Sequence, residues 1–147
     1  MHNVYVQYRE VCTSSFREDE EWGSWGEEYS FSVKGVSLTS NKDYDFHSED
    51  KVPCLTEVAV GQEVFVLWIS YTTGDSFGSA SGKGEVLWVF SDKKTATDAR
   101  KEVYRQEKNL DIKLALEDGS VIKLSNPVQG YFERLDSVII DSFIVRS

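Results

Sequence analysis

Residues 63–71, Glu63-Val-Phe-Val-Leu-Trp-Ile-Ser-Tyr71, are apolar on both sides of a two-residue period. Val64, Val66 and Trp68 fall on one side; Phe65, Leu67, Ile69 and Tyr71 fall on the other. A strand sends successive side chains to opposite faces of its sheet, so this one needs cover on both faces and sits centrally. Val86–Phe90 repeats the pattern, and antiparallel pairing of the two across the intervening residues is the simplest connection. Two such strands demand a layered fold. A single helix covers only part of one face, which leaves the other for a second sheet, a tryptophan-bearing segment or a second copy of the chain.

The rest of the chain supplies those layers. Asn3–Thr13 alternates with Val4, Val6 and Tyr8 on one side and Gln7 and Arg9 on the other; Tyr29, Phe31 and Val33 alternate likewise, so both segments read as half-buried strands. Residues 39–53 are polar and contain Pro53, which predicts a loop, followed by a short strand over 55–60. Ser91-Asp92 offers an N-cap, after which Ala96, Ala99, Val103 and Tyr104 recur at helical spacing through about residue 108. Residues 111–116 and 121–124 flank Asp118-Gly119, a pair suited to the positive φ of a tight hairpin turn. Residues 131–134 and 137–145 read as a last pair of strands. The expected fold is α+β, mostly antiparallel β with about eight to nine strands and one amphipathic helix near residues 93–108, as a single domain over 1–147.

With 147 residues and 40% hydrophobic content, the chain has the material for one sizeable core. No run approaches the ~18 apolar residues of a membrane span, and the first residues lack the basic and apolar regions of a signal peptide. The expected location is the cytoplasm, with no membrane partner. Cys12 and Cys54 are therefore expected to be buried free thiols. The net charge of −9 is uneven: residues 1–63 hold 13 acids against 5 bases, and residues 64–147 hold 12 against 11. The densest acidity lies between Arg17 and Glu28, around Glu20, Glu21, Trp22 and Trp25. Such a surface repels phosphate backbones, which disfavours direct nucleic-acid binding and suits a basic protein face or imitation of DNA charge.

Between the two apolar strands lies Tyr71-Thr-Thr-Gly-Asp-Ser-Phe-Gly-Ser-Ala-Ser-Gly-Lys-Gly-Glu85, which reads as a long loop of small residues displayed by a rigid scaffold. Gly74-Asp-Ser-Phe-Gly78 has the letters of a nucleophile elbow, but that device needs a strand-to-helix turn and a base, and the histidines are only His2 and His47. Serine hydrolase chemistry would rest on Ser76 and is a remote alternative. Gly78–Gly84 is one residue short of a Walker A loop and has glycine where the magnesium-binding hydroxyl belongs. Looser anion binding by backbone amides, assisted by Lys83, remains open to it. Asn41, Asp43, Asp45, His47, Glu49 and Asp50 make an oxygen-rich cluster like a calcium loop, yet Phe46 replaces its glycine and Val52 its closing glutamate. No metal and no cofactor is expected.

The Tyr71-x-x-Gly-Asp-Ser-Phe-Gly run, the Gly82-x-Gly-Glu85 after it and the Val89-Phe-x-Asp92 lead into an alanine-bearing helix resemble small β-rich proteins of tailed bacteriophages. The likeness covers residues 63 to about 108. It implies a class of role, countering host defences, and assigns no catalytic residue. The leading expectation is a non-enzymatic binding protein that holds a small anionic, nucleotide-like ligand. Loop amides and Lys83 would accept its charge, Tyr71 and Phe77 would stack on it, and Asp75, Ser76 and Ser79 would add polar contacts. The alternative is a blocker of a host protein, or a DNA mimic, anchored by Trp22 and Trp25 among Glu20 and Glu21. A homodimer would cover surplus apolar surface.

Overall fold

The computed structural model describes residues 2–15, 25–40, 48–75, 78–106, 111–116, 119, 121–125 and 134–147. Eight strands and one helix are seen among them: β1 (His2–Ser15), β2 (Trp25–Ser37), β3 (Ser48–Cys54), β4 (Glu63–Asp75), β5 (Gly78–Phe90), α1 (Lys93–Arg105), β6 (Asp111–Ala115), β7 (Val121–Ser125) and β8 (Arg134–Ile144). Six strands form one mixed sheet in the order β2-β1-β3-β5-β4-β8, and a further β2–β5 pairing closes β1, β2, β5 and β3 into a small barrel. β6 and β7 form a separate hairpin. The fold is thus β-rich with one helix, and no helix among the described residues is long and apolar enough to cross a membrane.

β4 lies between β5 and β8, and its two apolar faces feed two different cores. Val64, Val66 and Trp68 face the barrel, whose interior is dominated by valines from every strand that lines it, including Val4, Val6, Val36, Val52 and Val89. A narrow bore has room for short β-branched side chains that pack on a pleated surface. Leu67 and Ile69 face outward onto bulkier residues, Trp88, Phe90 and Ile112, and onto Ala96 and Ala99 of α1. The chain itself therefore covers both faces of β4.

α1 begins where the sequence places it. The Asp92 carboxylate accepts from the Thr95 amide at 3.1 Å, and Ala96, Ala99 and Val103 are buried. It ends at Arg105, short of residue 108, because Gln106 leaves the helix: its side-chain amide donates to Lys113 O at 3.1 Å and accepts from Lys113 N at 3.5 Å. Tyr104, expected on the buried stripe, is 47% exposed, and its hydroxyl accepts from the Val138 amide at 3.0 Å.

Several sequence expectations are corrected. Residues 48–53, read as loop, form with Cys54 a strand paired with 2–8 of β1, whereas 55–60, read as strand, is not one. Val52 and Cys54 are buried, and Pro53 is tolerated because β3 keeps a single bridge, Cys54 to Val89, on its other side. The final pair of strands is one strand, β8, with Asp136 bulged out opposite Ser70/Tyr71 and accepting from the Thr72 hydroxyl at 2.6 Å; residues 131–133 lie outside the described residues. The β6–β7 hairpin forms as expected, with Gly119 at φ +88°, but its connection takes in Leu116 as well as 117–120; the Gly119 amide donates to Leu116 O at 3.0 Å, and Leu116 is held by the outer core. Gln7, expected on the wet side of β1, is 2% exposed: it donates to Ser37 and Glu49 at 2.8 Å each and accepts from Arg146 at 3.2 Å. Both thiols are free, but only Cys54 is buried; Cys12 is exposed near the far end of β1.

Candidate functional site

The glycine- and serine-rich segment 71–85 is not a loop. β4 continues to Asp75 and β5 starts at Gly78, so the segment is the distal half of a long antiparallel ribbon with only residues 76 and 77 beyond its strands. Small side chains add little burial here, and the pairing is secured by a second neighbour. Trp25, Gly26, Glu27 and Glu28 of β2 run parallel to Gly78, Ser79, Ala80 and Ser81. The register places the two regions singled out from the sequence side by side: Trp25 is the strand neighbour of Gly78.

Two glycines owe their presence to close approach. A Cβ on Gly84 would lie 2.1 Å from the Phe31 ring, and one on Gly82, which sits at φ +75°, would lie 2.1 Å from Tyr29 O. β2 therefore crosses directly over the ribbon arm, with contact distances that only glycine permits. Beneath it, Phe31 continues a run of aromatic rings, with Tyr8 stacked on it at 5.0 Å and Trp68 tilted against it at 5.0 Å. Trp68 donates from Nε1 to Asp141 at 2.8 Å, which satisfies its polar atom.

Polar groups along this arm are engaged. The Lys83 ammonium lies 5.2 Å from the centre of the Tyr29 ring, a cation–π contact. The Gly84 amide donates to the Glu10 carboxylate at 3.3 Å. Tyr71 is half-buried against the outer core, with Lys83 as its cross-strand partner. Asp50 on β3 and Glu85 on β5 are exposed residues whose carboxyls are partly shielded from water by surrounding protein, which shifts both upward; the Asp50 charge pushes Glu85 further. The Tyr8 hydroxyl, 3.5 Å from Asp50, is likewise raised, first by burial and then by that carboxylate.

Of the residues expected to bind a ligand, Tyr71 and Lys83 are therefore placed as cross-strand neighbours, and Asp75 and Ser79 are placed by their backbones at the end of the ribbon. Ser76 and Phe77 lie outside the described residues, as do Glu20, Glu21 and Trp22; Trp25 is placed by its backbone at the start of β2. Glu10 and Glu85 are not singled out by the sequence as site residues, and Asp50 reads there only as part of the acidic, calcium-like run. Only Asp50 lies in a dense acidic run, and nothing in the spacing of the three announces that strands remote in sequence bring them to one arm. Residues 41–47 of the calcium-like pattern lie outside the described residues, and no cluster among the described residues could hold a metal ion. Comparison with protein families, with curated proteins and with solved structures finds no match to this chain, so the reading of function rests on the site itself.

Proposed function

We propose that this is a non-enzymatic binding protein whose target is another protein, engaged through the acidic side of the sheet where the start of β2 meets the end of the β4–β5 ribbon. What carries this reading is the Gly84 amide, which already donates to the Glu10 carboxylate. A ribbon that captured anions would keep its amides open and its lysine available; here Lys83 stands over Tyr29 and carboxylates crowd the arm. Acidic surroundings favour a basic protein face, and the tryptophan at position 25 brings an anchor residue of the kind interfaces use. The likeness to phage proteins makes a host protein the natural target, with blockade of a defence factor as the outcome.

The test is capture from bacterial lysate with the immobilised full chain. One specific partner is expected, with retention falling steeply between about 0.05 M and about 0.5 M salt as screening shortens the reach of the carboxylates. A parallel thermal-shift screen over cyclic and linear nucleotides is expected to give no stabilisation. A nucleotide that raises the Tm in a saturable way would return the site to sequestration of a small anionic ligand.

A further inference from the structure

The two outer edges of the β6–β7 hairpin are treated differently. On β6, the Gln106 side chain imitates a strand, donating to Lys113 O and accepting from Lys113 N. Lys113 therefore turns its backbone groups away from β7, which makes Lys113 and Lys123 a pair without mutual hydrogen bonds. It follows that Lys123 also points its N–H and C=O outward, away from β6, and that Val121 and Ser125, two residues to either side, do the same. Trp88 Nε1 donates to Lys123 O at 3.2 Å. Among the described residues no strand pairs with the rest of that edge.

The open edge borders a cleft of about 550 Å³ that runs between β7 and β5, with Pro53 and Trp88 on its wall and Glu85 at one end. Val121 is 58% exposed on the cleft's rim. Glu85 has no ion-pair partner among the described residues, and the Asp50 charge, which lies outside the cleft lining, pushes its carboxyl up further.

We propose that the β7 edge and this cleft accept an extended strand from a partner protein, one that carries a lysine or arginine for Glu85 and, at an alternate position on the same face, an apolar side chain against Val121 and Pro53. Main-chain bonds to Val121 and to the Lys123 N–H, whose carbonyl already accepts from Trp88, would supply affinity, and the two side chains would supply choice of partner. A second copy is the less suitable occupant, because antiparallel self-pairing centred on β7 sets Lys123 against Lys123. The inference rests on the reading of this molecule as a protein binder, and it adds a second contact face to the one at the start of β2.

The probe is a blocked nonapeptide of alternating threonine and valine with one central lysine, titrated to about 1 mM into the 15N-labelled full chain. The expected result is a saturable shift of the Val121 and Lys123 amides with slowed exchange at Lys123. Binding is expected to be about tenfold weaker when the peptide lysine is replaced by glutamate, or when the protein carries Glu85→Gln. An N-methylated peptide, which cannot pair along its backbone, is expected not to bind and leaves the protein unaltered. The proposal is overturned by shifts that map elsewhere, by equal binding of the lysine and glutamate peptides, by no saturable shift, or by edge shifts that grow with protein concentration alone. A lysate partner whose capture the peptide does not compete would overturn the edge while leaving the protein-binding function standing.

Discussion

The two halves of the β4–β5 ribbon are continuous in backbone and opposite in what holds them. In the proximal half, Val66 and Trp68 face the valine-lined barrel while Leu67 and Ile69 face the helix, so each residue is secured by its side chain. In the distal half, residues 72–75 and 78–82 have little side chain to bury, and the strands persist because β2 supplies a third ladder on one arm. A ribbon can thus be stabilised by apolar burial or by backbone neighbours plus absence of bulk.

The comparison breaks most sharply through substitution. Ile69→Ala, in the proximal half, is expected to cost about 2–5 kcal/mol, read from the shift in urea midpoint at unchanged slope. Gly84→Ala adds a single methyl where the Phe31 ring stands, and about 1–3 kcal/mol of destabilisation is expected; in a Phe31→Leu background the added methyl should cost much less.

A smaller effect separates the acidic arm from the rest. Asp50 and Glu85 have folded-state pKa values above their unfolded ones, so the folded chain binds protons more tightly as pH falls toward the ordinary carboxylate range. Their ionisation opposes folding at neutral pH, and stability should rise as pH is lowered from 7 toward about 5. Glu102, held below its ordinary value by Arg105, acts in the opposite sense, but its contribution is lost only below about pH 4.5. Thermal melts of an Asp50→Asn, Glu85→Gln variant should be flatter across pH 5–7; an unchanged pH profile would remove burial as the cause. The smallest effect is expected at Thr73→Ala in the distal half, within about 0.5 kcal/mol, since its place is kept by pairing and not by its side chain.

Much of the proximal architecture was legible. The two-sided apolar pattern of 63–71 placed β4 centrally, and Ala96, Ala99 and Val103 with the Asp92 cap placed the helix, because burial at a fixed period writes itself into the chain. The distal ribbon was misread for the converse reason. Glycine and serine at 78–84 carry the same letters whether they are flexible or tightly overlaid, and what distinguishes the two is β2, some fifty residues away in sequence. β3 was missed likewise: its strand state comes from pairing with 2–8, against the local preference of Pro53 and its polar neighbours.

Alone, the order of residues determined a β-rich chain with one helix, a central strand needing cover on both faces, and an acidic first half, since these follow from periodicity and charge. The tertiary structure decided that the cover is a barrel of the chain's own strands on one face and the helix and small hairpin on the other, that Trp25 stands beside Gly78, and that one edge of the small hairpin is plugged by Gln106 while no strand among the described residues pairs with the other. Those outcomes depend on hydrogen bonds and steric contacts between segments far apart in sequence, which no local pattern encodes.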